Sequence, residues 1–147
     1  MVNMLGRAET LAKMERGFYP RNVVVIGAAR HNQHRWLKAH LPFHQSHGKV
    51  FYVNIDETEW SGATDLGIRN FRSILEIQEP VDYVTISVPR VVVPRLIEEC
   101  VRKDVAIVHI FTAGFEESGE EEGIRKAVPR LGACVGGGET TVLCSAQ

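Results

Sequence analysis

Short apolar runs rich in β-branched residues alternate with longer amphipathic segments along most of the chain. The runs cover residues 23–26, 50–53, 83–88 and 105–111, with a weaker candidate at 133–135. Each run is too short for an independent helix, and buried parallel strands have this appearance because both of their faces are covered. The pattern predicts an α/β fold: a Rossmann-like, doubly wound parallel sheet of about five strands with flanking helices.

Apolar residues at helical spacing predict the helices that cover this sheet. The predicted faces are Met4, Ala8, Leu11 and Ala12; Trp36, Leu37 and Leu41; and Leu96, Ile97, Cys100 and Val101. Pro94 suits the first turn of the last of these helices. Ser118 followed by Glu121 fits a capping box, which predicts a further helix over residues 119–128.

The length of 147 residues, with 44% hydrophobic and 24% charged, fits one globular domain. We expect an N-terminal helix packed on the domain in residues 1–20, the sheet domain in residues 21–135, and a Gly-rich tail in residues 136–147. The net charge of -1 offers no overall attraction to nucleic acid. Because no apolar stretch approaches the roughly 20 residues that span a bilayer, we expect a cytoplasmic protein with no membrane association.

The cysteines and histidines suggest no metal centre. Cys100, Cys134 and Cys144 form no CxxC pair, which argues against a disulfide framework and a structural zinc site, and we interpret Cys100 as a core residue. A metal-dependent protein could use the histidine cluster, but Pro42 interrupts its helical spacing and no carboxylate or cysteine completes a ligand set. A solvated basic face is the favoured interpretation of this cluster, which comprises His31, His34, His40, His44 and His47.

The loops after the strands should carry the function, since ligands of such sheets bind beyond the carboxyl ends of the strands. After the first strand, Gly27, Ala28 and Ala29 have small side chains that let backbone amides approach a phosphate. The dinucleotide fingerprint is incomplete, because Ala29 and Asn32 stand where its second and third glycines belong. This argues against an NAD-binding redox domain, which remains the alternative.

The other strand ends are also suited to a nucleotide-like ligand. Ser87-Val88-Pro89 and Thr112-Ala113-Gly114 follow the third and fourth predicted strands and expose backbone groups at the expected crevice. After the second strand, Asp56 and Glu57 are interpreted as solvated turn acids, since Asp56 lies farther from Gly27 than a ribose-binding acid usually does.

Residues 23–30, 52–55 and 84–123 resemble the CoA-binding domain of ADP-forming acyl-CoA (acetate–CoA) synthetases, a family related to the α subunit of succinyl-CoA synthetase. The combination of a V-P turn, an E-E-C helix and the motif A-G-F-x-E-x-G-E-E-G is more specific than any glycine pattern.

The resemblance implies which residues hold the cofactor, coenzyme A or an acyl-CoA. It implies that the first loop cups the phosphates, the turn after the third strand borders the adenine, and the fourth loop follows the pyrophosphate and pantetheine. Where many relatives continue Asn-Pro-Lys after the second strand, this chain has Asn54-Ile55-Asp56, which implies either a lower CoA affinity or a substitute cation from Arg30, His34 or Arg35. The implied cofactor-binding residues are Gly27, Ala28, Ala29, Arg30, Asn54, Ser87, Val88, Pro89, Thr112, Ala113 and Gly114.

The resemblance also implies a domain without catalytic residues that does not complete a reaction alone. In full synthetases a phosphohistidine domain and an ATP-grasp module transfer the phosphoryl group, and this chain has no room for either. His109 lies inside an apolar run and is expected to be a core histidine with one hydrogen-bond partner. The chain is either a stand-alone module or a piece of a synthetase, its partner a synthetase subunit or a second copy. A structural subunit that binds no nucleotide is a further reading. We expect Gly27→Val to fold but to lose CoA binding.

Overall fold

The computed structural model describes residues 4–27, 33–111 and 140–143, in which six strands form one sheet. The strands are β1 (Asn22–Gly27), β2 (Lys49–Val53), β3 (Arg69–Phe71), β4 (Tyr83–Ser87), β5 (Ile107–Ile110) and β6 (Thr140–Leu143). Their order across the sheet is β3-β2-β1-β4-β5-β6. Strands β1 to β5 are parallel, and β6 runs antiparallel to β5. The expected Rossmann-like parallel sheet of about five strands is confirmed, with an antiparallel strand added at one edge.

Four of the predicted apolar runs coincide with β1, β2, β4 and β5. The sequence does not predict β3, or β6, which lies within the segment expected to be a Gly-rich tail. The weaker candidate strand at 133–135 and the expected helix over 119–128 lie outside the described residues.

The described helices are α1 (Met4–Phe18), α2 (Arg35–Ser46), α3 (Trp60–Thr64) and α4 (Val93–Arg102). Pro94 lies in the first turn of α4, where its missing N–H interrupts no helical bond. Pro42, in contrast, lies inside α2, and the helix continues past it to Ser46, whose hydroxyl donates to the Pro42 carbonyl at 2.6 Å. In these parts of the chain, no helix is both long enough and apolar enough to cross a bilayer.

Side chains alternate between the two faces of the sheet, as the period of a strand requires. On one face, Leu37 of α2 and Ala63 of α3 are buried against β1 and β2. On the other face, α4 buries Ile97 and Cys100 against β1, β4 and β5, so Cys100 is a core residue as predicted. The helix after β1 and the helix after β4 thus cover opposite faces. The winding of the chain therefore reverses between β1 and β4, which are neighbours in the sheet.

Helix α1 packs beside β5 at Gly17 and not through the predicted apolar face, of which Ala8, Leu11 and Ala12 are exposed. A Cβ atom at position 17 would lie 2.4 Å from Ile107 Cγ1. The helix and the strand therefore approach each other more closely than a side chain at position 17 would permit.

Candidate functional site

Gly27 and Ser87 lie side by side where the carboxyl ends of β1 and β4 meet. The two residues are paired in the sheet, and Gly27 has a φ of +91°. A Cβ atom at position 27 would lie 2.3 Å from the Ser87 carbonyl oxygen and 2.3 Å from Val88 Cγ1. Glycine is required here because both the backbone conformation and the available space exclude a side chain. The end of β1 therefore presents bare backbone at the point where the winding reverses, the usual ligand crevice of such sheets.

The same contact changes what a substitution at Gly27 would test. A valine there would press against the Ser87 carbonyl group and would also adopt a positive φ, which L side chains rarely do. Such a variant is expected to disturb the pairing of β1 with β4. Gly27→Val is therefore not the clean test of ligand binding that the sequence suggests.

The turn after β4 leaves Ser87 and Val88 half-buried and Pro89 exposed. Pro89 begins a 3-10 turn, in which the Val92 amide donates to the Pro89 carbonyl at 3.0 Å. Val91 in this turn is 71% exposed. Ser87, Val88 and Pro89 are the residues predicted to border a ligand. They lie at the contact with Gly27 or directly after it, and each retains accessible surface.

Asn54, directly after β2, stabilises the turn that follows it. Its Nδ2 donates to the Tyr52 hydroxyl at 2.9 Å, and its Oδ1 accepts from the Asp56 amide at 2.9 Å. Its carbonyl oxygen accepts from Trp60 Nε1 at 2.9 Å. Both ends of the side-chain amide are therefore used within the protein. Asn54 shapes the rim of the crevice, and its assignment as a ligand contact stays a prediction.

The end of β2 is electrostatically negative. Asp56 accepts from the Thr58 amide at 3.0 Å and caps a short 3-10 turn, as expected for a turn acid. Burial raises the pKa of Tyr52 above its ordinary value; the hydrogen bond from Asn54 opposes this, and the charges of Glu59 and Asp56 raise the pKa further. The Tyr52 hydroxyl is therefore neutral at neutral pH, and it lies within the field of two carboxylates.

The loop after β1 ends at His34, whose ring is wedged against α3. Gln33 and His34 have φ values of 56° and 54°. A Cβ atom on Gly62 would lie 2.2 Å from His34 Nε2, and the ring meets Tyr52 edge-on with centroids 6.5 Å apart. His34 Nδ1 is shielded from solvent and makes no hydrogen bond to the described residues. Of the described candidates for the missing cation, the exposed Arg35 is thus better placed than His34 to reach a phosphate.

Aromatic rings join the start of α2 to the end of β5. The ring centroids of Trp36 and Phe111 are 4.0 Å apart, and those of Phe111 and His109 are 4.1 Å apart. His109 Nδ1 lies 3.0 Å from the Tyr83 hydroxyl, which confirms a hydrogen-bond partner, but the expectation of a core histidine is wrong because the side chain is only half-buried. Sequence reasoning placed Phe111 at the end of the fourth predicted strand but missed its ring contacts, which depend on packing.

The predicted cofactor-binding residues divide into two groups. Gly27, Asn54, Ser87, Val88 and Pro89 lie at the carboxyl ends of three neighbouring strands, β1, β2 and β4. The structure describes nothing of the remaining predicted positions, which are Ala28, Ala29, Arg30, Thr112, Ala113 and Gly114.

The described histidines make separate local contacts. His40 Nδ1 lies 2.7 Å from the Trp36 carbonyl oxygen, to which it donates, and His44 Nδ1 accepts from the Val50 amide at 3.0 Å. Within residues 4–27, 33–111 and 140–143, no three His, Cys, Asp or Glu side chains are grouped to hold a metal ion.

Comparisons with known proteins agree with this arrangement. Residues 21–139 match the family model described as CoA binding domain. The ADP-forming acetate–CoA ligase I of Archaeoglobus fulgidus is 39% identical over 108 residues, which are 74% of this chain and 15% of that protein. The α subunit of ADP-forming acetate–CoA ligase I of Pyrococcus furiosus is 37% identical over 113 residues, which are 74% of this chain and 24% of that subunit.

A solved structure shows the same fold. The dinucleotide-forming acetyl-coenzyme A synthetase 1 of Ca. Korarchaeum cryptofilum, in complex with phosphate and ADP, superposes with a TM-score of 0.67 and 26% identity. The match covers 84% of this chain and 27% of that one. The chain thus spans about a quarter or less of the relatives it matches, as one module of them would. Because the family model covers residues 21–139 of 147, the chain belongs to the CoA binding domain family.

Proposed function

We propose that this chain binds coenzyme A, free or acylated, in the crevice between the carboxyl ends of β1 and β4. The observation that carries the proposal is the contact between Gly27 and Ser87, where a Cβ atom would lie 2.3 Å from a carbonyl oxygen. Because β4 fills the Cβ position, only glycine fits where the winding reverses, and a glycine turn at this point is typical of sheets that bind phosphates through backbone amides. Membership of the CoA binding domain family selects CoA among nucleotide-like ligands.

In this proposal each strand end contacts one part of the ligand. Gly27 and the positions that follow it, Ala28, Ala29 and Arg30, would bind the phosphates. The turn of Ser87, Val88 and Pro89 would border the adenine ring, with the exposed proline providing apolar surface. Asn54 would form the rim beside β2, and the residues after β5, Thr112, Ala113 and Gly114, would follow the pantetheine arm.

The chain would act as the CoA-holding module of an acyl-CoA synthetase of the ADP-forming kind. Its similarity to ligases of which it spans 15% to 24% supports a division of labour, in which other modules activate the acyl group. The partner would then be the polypeptide that carries those modules. The strand ends around Gly27 and Ser87 would bind and orient CoA.

Titration calorimetry of the chain with CoA, acetyl-CoA, NAD and ADP tests the proposal. We expect CoA and acetyl-CoA to bind at least tenfold more tightly than NAD. Pro89→Asp should weaken CoA binding, since it removes apolar surface and adds a negative charge near the ligand phosphates. Leu11→Asp adds the same charge on α1 at a side chain that is 58% exposed, and it should leave CoA affinity unchanged. Tighter binding of NAD, or no binding of CoA, would contradict the proposal.

A further inference from the structure

Trp36 and Phe111 make the ring contact that links two loops far apart in the sequence. Trp36 lies in the first turn of α2, directly after the loop that begins at Gly27. Phe111 follows β5 and directly precedes Thr112. Their ring centroids are 4.0 Å apart with the planes inclined by 31°, so the two rings are in close, tilted contact. The contact therefore joins the chain just after the loop that follows β1 to the chain just before the loop that follows β5.

Each of the two residues also contacts other parts of the sheet domain. The Phe111 amide donates to the Ile86 carbonyl oxygen at 2.8 Å, which ties Phe111 to β4. The Phe111 ring also contacts His109, which is hydrogen-bonded to Tyr83. Trp36 packs against the buried cluster that includes Leu37, on the face of the sheet covered by α2 and α3. Neither ring can move away without disturbing these contacts.

We propose that the Trp36–Phe111 contact is a positioning contact, which fixes the separation of the residues that flank the loop after β1 and the loop after β5, and thereby sets the affinity for CoA. This inference rests on the proposed function. A ligand that contacts both of these chain segments binds more tightly when the protein has already fixed their separation. The phosphate end of CoA would touch the first loop, and the pantetheine arm would extend along the last. The affinity for CoA therefore depends on the separation of these two segments, whereas the affinity for a fragment without the pantetheine arm depends on it much less.

Calorimetry with two ligands, CoA and adenosine 3′,5′-bisphosphate, tests this contact on the complete chain. We expect Trp36→Ala and Phe111→Ala each to weaken CoA binding about tenfold. The double variant should be little worse than either single one, because both substitutions remove the same contact. Adenosine 3′,5′-bisphosphate should bind all variants within about threefold of the wild type. Trp36→Phe and Phe111→Tyr keep two rings in contact and should retain CoA affinity within about twofold.

Phe43→Ala is the matched control, since Phe43 is another partly buried aromatic residue of α2 on the same face of the sheet. It should lower the melting temperature about as much as Trp36→Ala while leaving CoA affinity unchanged. The proposal is overturned if the ring variants bind CoA like the wild type, if Phe43→Ala weakens CoA equally, or if both ligands lose affinity in parallel. A wild-type chain that fails to bind CoA would overturn the proposed function as well, whereas CoA binding that ignores the ring variants would overturn this inference alone.

Discussion

Arg16 of α1 forms an ion pair with the buried carboxylate of Asp82, with 3.0 Å between Arg16 Nε and Asp82 Oδ1. Asp82 immediately precedes β4, and its Oδ2 accepts from the Arg21 and Asn22 amides at 2.9 and 3.1 Å. One carboxylate therefore joins the N-terminal helix to the beginnings of β1 and β4. The amino end of the sheet is held by this contact, while the proposed ligand crevice lies at the opposite, carboxyl end.

Asp82→Ala should therefore destabilise the fold strongly. The substitution leaves the Arg16 guanidinium without its buried partner and the amides of Arg21 and Asn22 without their acceptor. We expect the free energy of unfolding to fall by about 3 kcal/mol, mainly because two backbone amides lose their acceptor, while the ion pair with the partly exposed Arg16 contributes less. Urea denaturation measures this loss. Asp65→Ala, which removes an exposed carboxylate, is the control and should keep a stability close to that of the wild type. A loss below about 1 kcal/mol would show that Asp82 does not hold these elements together.

Asp104 should contribute a pH-dependent part of the stability. Burial acts to raise the pKa of its carboxyl group, but Lys13 at 2.7 Å and Arg16 at 3.3 Å outweigh burial and hold this pKa below the ordinary 3.8. Since the folded pKa is the lower one, the stabilisation is complete above pH 3.8 and is lost as the pH falls through the folded pKa.

The variant Asp104→Asn isolates this effect, because asparagine tolerates the φ of 57° found at position 104. We expect the variant to be less stable than the wild type at about pH 7 and to match it once the pH lies below the folded pKa of Asp104. Urea midpoints measured across that range check the expectation. A stability difference that does not change with pH would refute it.

Gly48 and Gly67 should respond differently to alanine. A Cβ atom at position 48 would lie 2.1 Å from the Arg21 carbonyl oxygen and 2.6 Å from Phe43 Cζ, so the backbone there must shift. At position 67 there is open space, but φ is +75°, which costs an alanine about 1 kcal/mol. Thermal unfolding should show at least twice the loss for Gly48→Ala. Equal losses would mean that the strand can move away from Arg21 at little cost.

Asp56→Lys should raise CoA affinity. The substitution replaces a carboxylate by a cation beside β2, at the position where the resemblance to the synthetases implies a lysine. We expect CoA binding to strengthen several-fold, more than binding of dephospho-CoA, and the gain to shrink at high salt. Asp65→Lys makes the same charge change after α3 and should give a smaller gain. An identical gain for CoA and dephospho-CoA would exclude a contact with the ribose phosphate.

The strands that the sequence predicts are those buried on both faces. β1, β2, β4 and β5 are short runs of apolar, mostly β-branched residues, so their signal is local. β3 lacks this signal because Arg69 is exposed and lies over the rings of Phe51 and Phe71, at 5.6 and 5.2 Å. β6 is recognisable only through its pairing with β5, a segment far away in the sequence.

The features of the proposed site divide in the same way, into those that the sequence predicts and those that it does not. Gly27 and the Ser87 turn are predictable, because glycine and proline mark the ends of strands and the fold places those ends together. The wedging of His34 against Gly62 and the contact of Trp36 with Phe111 are not predictable from one sequence. Each depends on two side chains that are brought together by packing, with no spacing pattern to announce them.

The most direct test of the proposed site is a titration of the isotope-labelled chain with CoA, followed by the backbone amide signals in nitrogen–proton correlation spectra. The amides of Gly27, Ser87 and Val88 should show the largest shifts, and those of Asn22 and Ile107, at the amino ends of their strands, should stay in place. Largest shifts at the amino ends, or spectra unchanged by saturating CoA, would contradict a CoA site between β1 and β4.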